Sequence, residues 1–296
     1  MWYFDKNTIK LLRIPFSFFL MPVYFFALFF ASSIVPQFTL EMSLRAMGIF
    51  IILHVFIYPA SNGYNSYHDQ DTESIGGIKN PPKATLNLLK ASKLFDTLGL
   101  ILAVFINVYF FIGLVICVLV SRAYSYRNIR LKKYPIIGYA SVALFQGGAI
   151  FFITVIGIGN FDPLEVVFEG IWLPTLTSIC MIGGVYPLTQ IYQHQQDADD
   201  NVHTISMLVG YRGTFVLSGI MFGLVGLTMF LILGTFNFIL FQLFLLPVVV
   251  YFGVWLLKVS KDITNANFEY TMRMNTIAAA AMNLCFITLI CINFLG

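Results

Sequence analysis

Charged residues are scarce in this sequence. Only 10% of its 296 residues are Asp, Glu, Lys or Arg, against roughly a quarter in an average soluble domain. Hydrophobic residues make up 58% of the chain, and the mean hydropathy is +0.83. A water-soluble fold of this length needs a largely polar exterior. The composition therefore excludes an ordinary soluble protein and predicts that lipid is the solvent for most of the surface.

The sequence also has little net positive charge and few cysteines. The net charge is +3, and the 17 Lys and Arg residues occur in short groups between apolar runs, which argues against nucleic acid as a partner. The cysteines lie inside apolar runs, without the spacing of metal ligands or of a disulfide framework. We interpret them as packing residues: Cys117, Cys180, Cys285 and Cys291.

Long apolar runs are abundant. A spanning helix needs about 20 apolar residues, and we expect nine spans at 14–36, 43–61, 95–109, 111–126, 135–158, 171–189, 213–234, 236–257 and 274–295. The third and fourth form one stretch, which we divide near 107–109. The first run follows basic residues without a small-residue cleavage site, so we expect a span rather than a cleaved signal peptide. The sequence predicts an all-α, polytopic membrane protein.

The distribution of basic residues predicts the orientation. With nine spans and the N-terminus inside, 16 of the 17 Lys and Arg residues fall on the cytoplasmic side, and only Arg45 lies outside. The positive-inside rule favours this arrangement. Merging the third and fourth spans would put the basic cluster 122–133 on the wrong face. We therefore expect a multi-pass protein, of the inner or plasma membrane if it is bacterial, with a cytoplasmic N-terminus.

Two polar segments repeat one another at the predicted cytoplasmic face. We name them the first motif loop, residues 61–93, and the second motif loop, residues 189–212. Both contain amide, amide and carboxylate side chains at positions i, i+3 and i+7, which a helix would place on one face. These are Asn62, Asn65 and Asp69 in the first loop, which Glu73 extends by a turn, and Gln190, Gln193 and Asp197 in the second. Asp71, Asp199 and Asp200 lie off these stripes.

Oxygen-rich side chains at the ends of two spans are expected to face the interior and to mark a site. Carboxylate and amide oxygens suit Mg²⁺, which usually keeps several waters and shares its other positions with phosphate oxygens. Two such helix ends would hold a diphosphate through Mg²⁺, and basic residues nearby would neutralise its remaining charge. The alternative is that both loops are solvated connections.

The two motifs resemble those of the UbiA-type intramembrane prenyltransferase superfamily, whose signature is two aspartate-rich loops after the second and sixth of nine helices. Asn65, Asp69 and Glu73 match the first family motif, NxxxDxxxD. Asp197 matches the second, DxxDxxxD, in which glutamines replace the other aspartates. The segment YSYRNIRLK, residues 124–132, resembles the basic stretch after the fourth helix. The resemblance covers the chain and implies a single domain, 1–296, with nine helices around a central cavity.

The resemblance also implies a reaction and its residues. The reaction is Mg²⁺-dependent transfer of a prenyl group from an allylic polyprenyl diphosphate to a lipophilic acceptor, aromatic or isoprenoid, with release of diphosphate. Asp69 and Asp197 are then the catalytic carboxylates. The implied Mg²⁺ ligands are Asn62, Asn65, Asp69, Glu73, Gln190, Gln193 and Asp197, and the implied diphosphate contacts are Lys79, Tyr124, Arg130 and Lys132. Besides these substrates, membrane lipid is an expected partner.

The departures from the family motifs leave alternatives open. Gln190 and Gln193 are either weaker metal ligands or hydrogen-bond partners of the diphosphate. Asp199 or Asp200 compensates if the chain folds back after the second motif.

Three further polar residues belong to the candidate site. Gln146 either contacts the acceptor or makes a helix-packing hydrogen bond. His68 and His194, one in each motif loop, are expected to play supporting roles.

Two other functions compete with the enzyme. One is a family member without catalytic activity that binds lipid. The other is a secondary transporter, since transporter sites also lie between repeated helix sets.

Overall fold

The fold is built from helices joined by short connections. The computed structural model describes residues 4–295, and within that range the single bridge between Ile75 and Ile78 is the only β pairing. Nine long helical segments occur in the described chain: α1 Lys6–Ser33, α2 Leu40–Asp69, α3 Leu86–Val104, α4 Val108–Ser125, α5 Pro135–Gly159, α6 Trp172–Gln190, α7 Ile205–Ile232, α8 Thr235–Lys261 and α9 Phe268–Leu295. The all-α prediction is confirmed. Positions 1–3 and 296 of the predicted domain lie outside the described residues.

Seven of these segments, all except α3 and α6, are by length and composition able to cross a membrane. The predicted count of nine spans is therefore approximate. α3 contains the charged residues Lys90, Lys93 and Asp96. α6 contains several Pro, Gly, Ser and Thr residues, which lower its hydropathy. α3 begins at Leu86 rather than at residue 95, and shorter helices, Pro163–Phe168 and His194–Asp199, lie in the connections.

The predicted division of the long apolar stretch near 107–109 is confirmed. α3 ends at Val104 and α4 begins at Val108. The Asn107 side chain caps α4, accepting hydrogen bonds from the backbone N–H groups of Tyr109 at 2.7 Å and Phe110 at 3.2 Å. An Asn side chain at this position satisfies N–H groups that have no partner inside the helix.

Four segments depart from regular α-helix. α7 is kinked at Gly210, whose backbone is non-helical with φ of 73°. α1 changes at Arg13, which has a left-handed backbone with φ of 50°, into a 3₁₀ section, Ile14–Leu20. α2 and α5 contain π-helical sections, Ile52–Ile57 and Ala143–Ala149. π-helical sections are rare in proteins, but those that occur are often at functional sites.

α5 and α6 approach closely at a glycine. A Cβ atom on Gly147 would lie 2.7 Å from the backbone oxygen of Ser178, and the Ser178 hydroxyl donates to the Gly147 carbonyl at 3.0 Å. Small residues at helix crossings are typical of membrane proteins. The helices enclose a central cavity of about 300 Å³, to whose wall every long segment except α3 contributes.

The motif loops meet at one end of the bundle. Lys79 in the first loop forms an ion pair of 2.9 Å with Glu269 at the start of α9, and Arg127 forms one of 3.3 Å with Asp200 in the second loop. The opposite end carries the contact between Asn107 and Asn160, 2.5 Å. Arg45 also lies towards that end, with its Nε donating to the Ile158 carbonyl at 3.0 Å.

Candidate functional site

The first motif forms a helical stripe, as its spacing predicts. Asn62, Asn65 and Asp69 lie on α2 and line the central cavity. The predicted extension to Glu73 is wrong, because α2 ends at Asp69 and Gln70 adopts a left-handed backbone with φ of 55°. Glu73 is exposed, outside the helix and outside the cavity lining.

The second motif reaches the same cavity without forming one helix. α6 ends at Gln190, and Gln193 directly precedes the short helix His194–Asp199, which contains Asp197. The prediction of a continuous stripe is wrong here, because the buried Ile191, 1% exposed, occupies the turn between the two helices. Gln190, Gln193 and Asp197 nevertheless all line the cavity.

The basic segment after α4 contacts the first motif directly. Lys132 Nζ lies 2.5 Å from Asp69 Oδ2, and Arg130 Nη2 lies 3.4 Å from Asp69 Oδ1 and also pairs with Asp200. Lys132 lines the cavity, whereas Arg130 lies behind Asp69. Lys79 does not join them, since its partner is the exposed Glu269. The structure thus places only part of the predicted diphosphate-binding set at the cavity.

Two of the other predicted residues line the cavity. The Tyr124 hydroxyl is hydrogen-bonded to the Tyr186 hydroxyl, and both rings face the cavity. Gln146, from the π-helical section of α5, also lines it.

The two histidines of the motif loops lie outside the cavity lining. The His68 ring packs against Tyr64, with centroids 4.4 Å apart. His194 Nε2 is 2.7 Å from the Ser206 hydroxyl. These contacts give both histidines packing positions beside the motifs.

Arg13 is a cavity residue that the motif spacing does not indicate. It is 9% exposed, and its guanidinium donates to the carbonyls of Gly76 at 3.2 Å and Asn62 at 3.3 Å. Its buried Nε has no hydrogen-bond partner. The sequence signal is its position directly before an apolar run, where a buried Arg is costly unless it has a partner or a function.

The motif spacing does not indicate Asp71 either, because the predicted stripe leaves this residue off the helix face. The left-handed Gln70 turns the chain back, so that Asp71 lines the cavity and accepts a 2.5 Å hydrogen bond from Gln196 Nε2. Neither Asp199 nor Asp200 supplies the expected compensation there. Asp199 is exposed, and Asp200 binds Arg130 and Arg127 outside the cavity lining.

The cavity has an excess of buried carboxylates. Its charged lining residues are three acids and two bases: Asp69, Asp71, Asp197, Arg13 and Lys132. Burial, and after it the neighbouring Asp69, raises the pKa of Asp71 to about 6. Burial raises the pKa of Asp197 to about 7; Lys132 opposes this effect, while Asp69 and Asp71 add to it. Carboxyl groups whose pKa values are raised by burial and by neighbouring carboxylates favour binding of a further cation.

A comparison with models of protein families shows to which family the chain belongs. The model of the UbiA prenyltransferase family matches residues 19–277, which is most of the chain. The chain belongs to the UbiA prenyltransferase family. Membership and the apolar helices together make it an integral, multi-pass membrane protein.

Solved structures of UbiA homologues share the fold. One from Archaeoglobus fulgidus, bound to DMAPP and Mg²⁺, is 15% identical with a TM-score of 0.64, over 97% of this chain and 99% of that chain. The apo homologue from Aeropyrum pernix K1 is 14% identical with a TM-score of 0.65, over 95% and 99%. A digeranylgeranylglyceryl phosphate synthase is 19% identical with a TM-score of 0.57, over 97% of each chain. No match was found among curated proteins.

The donor set of this UbiA family member fits Mg²⁺ together with an anionic ligand. Within residues 4–295, no three Asp, Glu, His or Cys side chains are grouped closely enough to hold a metal ion by themselves. Amide side chains supply further oxygens around the same cavity: Asn62, Asn65, Gln190 and Gln193. Separated carboxylates and amides suit an ion that keeps waters and accepts phosphate oxygens.

Proposed function

We propose that this protein is an Mg²⁺-dependent prenyltransferase that moves a prenyl group from an allylic diphosphate to a lipophilic acceptor and releases diphosphate. The observation that carries the proposal is the convergence of both motifs on one cavity, with Asp69, Asp71 and Asp197 facing Lys132 and Arg13. The UbiA homologue solved with DMAPP and Mg²⁺ supports the donor class.

Charge balance explains why the site needs both metal and basic residues. Three acids and two bases line the cavity, so an anionic diphosphate would be repelled without further positive charge. Bound Mg²⁺ would neutralise the leaving group as a Lewis acid. Asp69 and Asp197, with the motif amides, would hold the ion, while Lys132 and Arg13 would contact diphosphate oxygens. Arg130 would hold Asp69 in position through its 3.4 Å contact.

The deeper cavity suits the prenyl chain. Its walls from α1, α7, α8 and α9 are apolar except for Arg13 and Asn275. When the allylic carbon–oxygen bond breaks, its electron pair leaves with the diphosphate and an allylic cation forms. The apolar wall would exclude water from that cation, and aromatic faces such as Phe19 and Tyr124 would stabilise it. The acceptor then supplies the electron pair for the new bond and loses a proton.

The test is diphosphate release by the purified protein in lipid nanodiscs. Farnesyl or geranylgeranyl diphosphate is supplied with an organic extract of the source cells, with and without Mg²⁺. We expect release that requires both metal and extract, and a prenylated product by mass spectrometry. Donor binding without release under all conditions would overturn the enzyme and indicate a lipid-binding member. Substrate counterflow in proteoliposomes would indicate a transporter.

A further inference from the structure

The central cavity has a side chamber between α2, α4 and α5. The chamber measures about 60 Å³ and shares Ser61, Ser121, Tyr124, Val142 and Gln146 with the central cavity. Since a water needs about 10–15 Å³, this space admits about four water-sized groups. It is therefore a branch of the cavity that can receive the end of a molecule, not a whole prenyl chain.

Both π-helical sections of the molecule border this chamber. Ile57 closes the section of α2, directly before Tyr58, and the section of α5 contains Phe145 and Gln146. A π-helical turn changes which side chains a helix presents and is frequent at functional sites. Two of them facing one space is a second, independent indication that the chamber has a use.

The chamber contains unused hydrogen-bonding capacity. Tyr58 is 5% exposed, and its hydroxyl has no hydrogen-bond partner among the described residues. The Gln146 side chain is half-buried and lines both the chamber and the central cavity, and the Ser121 hydroxyl donates to that of Ser61 at 3.0 Å. A buried hydroxyl without a partner carries a free-energy cost. A hydrocarbon chain would leave that cost unrelieved, while a polar group would remove it.

The chamber is also uncharged. None of the described residues that line it is Asp, Glu, Lys or Arg. A carboxylate moved into such a space would lose its hydration without gaining a cation. The cations of the central cavity, Lys132 and Arg13, contact Asp69 and the Asn62 carbonyl and do not line the chamber.

The chamber opens beside the motifs. On α2, Ser61 lies one residue before Asn62, and on α4, Ser121 lies one turn before Ser125, whose hydroxyl donates to Asn65 at 2.8 Å. A group held in the chamber would therefore lie next to the reacting end of a metal-bound allylic diphosphate.

We propose that this side chamber is the acceptor subsite and that it selects a neutral acceptor with a hydroxyl or carbonyl group over one with a carboxylate. The proposal rests on the prenyltransferase function given above. Tyr58 and Gln146 hydrogen-bond the acceptor's polar end, and the ring or chain behind it extends past Ser61 and Ser121 into the central cavity.

A pair of probes with the same ring tests the assignment. Binding of tritiated 2-naphthol, which is neutral, and of 2-naphthoate, its anionic counterpart, is measured on the protein in nanodiscs, with empty nanodiscs subtracted. The variants are Tyr58→Phe and Gln146→Leu. The matched control is Tyr139→Phe, which removes a hydroxyl from α5 that donates to the Gly183 carbonyl outside the chamber.

We expect 2-naphthol to bind at least tenfold more tightly than 2-naphthoate. Tyr58→Phe and Gln146→Leu should each weaken 2-naphthol binding about fivefold, while Tyr139→Phe leaves it unchanged. Farnesyl diphosphate binding with Mg²⁺ should be the same in the wild type, Tyr58→Phe and Tyr139→Phe. Unchanged 2-naphthol binding in both chamber variants would overturn the subsite, and equal binding of the two probes would overturn the selection for neutral acceptors.

The same samples separate this proposal from the proposed function. Diphosphate release by the wild-type protein is measured independently of probe binding. If the binding pattern is as expected but no donor is ever cleaved, the prenyltransferase proposal fails and the polar ligand site stands. If donors are cleaved but the chamber variants bind 2-naphthol normally, the enzyme stands and the acceptor subsite is overturned.

Discussion

Asp69 and Asp197 are the carboxylates whose loss we expect to reduce turnover most. Asp69 lies between two cations, and Asp197 faces it across the cavity from the second motif. Asp69→Asn and Asp197→Asn each remove one negatively charged oxygen, so Mg²⁺-dependent diphosphate release should fall about 100-fold. Asp199→Asn, on the same short helix but exposed, is the control. Wild-type rates in both cavity variants would contradict the site.

A substitution at Gln193 distinguishes the two interpretations of the glutamines in the second motif, as hydrogen-bonding amides or as weakened metal ligands. The Gln193 Nε2 donates to the Ser74 carbonyl at 3.3 Å, which joins the two motif loops. Gln193→Glu keeps the side-chain length but places a carboxylate oxygen against that carbonyl, so we expect kcat to fall severalfold. The measurement is the steady-state rate over a range of Mg²⁺ concentrations. A gain in activity would instead show that Gln193 is a weakened metal ligand.

Arg13 should contribute to donor binding through the shape of its guanidinium. It already donates to two carbonyls, and its Nε remains unpartnered. Arg13→Lys retains the charge but cannot make the same forked contacts, so the Kd for farnesyl diphosphate with Mg²⁺ should rise about tenfold. Lys10→Arg, at an exposed lysine that donates to the Asn80 carbonyl, should leave the Kd unchanged. Equal Kd values in wild type and Arg13→Lys would remove Arg13 from the site.

At the scale of helices, close packing at Gly147 fixes α5 against α6. Gly147→Ala would place a methyl group 2.7 Å from the Ser178 carbonyl oxygen, in contact with backbone that cannot rotate away. We expect a loss of about 1–3 kcal/mol in stability, seen as a lower thermal midpoint in detergent. Gly223→Ala on α7, where no atom lies within 4 Å, should be neutral or slightly stabilising. Equal midpoints would show that the two helices can separate without cost.

Helical periodicity predicted one motif correctly and failed where helices end. The i, i+3, i+7 spacing of Asn62, Asn65 and Asp69 predicts their common face because α2 is continuous there. The same spacing fails in the second motif, since α6 stops at Gln190. The turn at Gln70 excludes Glu73 and brings in Asp71, and a positive φ at a non-glycine residue is not readable from residue types alone.

Contacts between distant segments were the least predictable part of the site. Arg13 reaches Gly76 and Asn62 across the fold, whereas Lys79, in the motif loop itself, pairs with Glu269 far along the chain. Its position in the motif loop favours Lys79 over Arg13 as a cavity residue. The packing of the helices instead places Arg13 at the cavity and Lys79 outside it. The side chamber was likewise invisible, because it arises from π-helical sections that no periodicity indicates.

For the whole molecule, the charged end of the bundle should face the cytoplasm. The positive-inside rule places all basic residues except Arg45 on that side, and the structure groups the motif loops at one end through hydrogen bonds such as that of Gln193 with the Ser74 carbonyl. In a background with every cysteine replaced by alanine, Gln195→Cys and Glu169→Cys put single exposed thiols in the second motif loop and in the connection before α6. A membrane-impermeant maleimide should label Glu169→Cys on intact cells, and Gln195→Cys only after permeabilisation. The reverse pattern would place the diphosphate site outside the cell, away from a cytoplasmic supply of donor, and would contradict the orientation on which the proposed reaction depends.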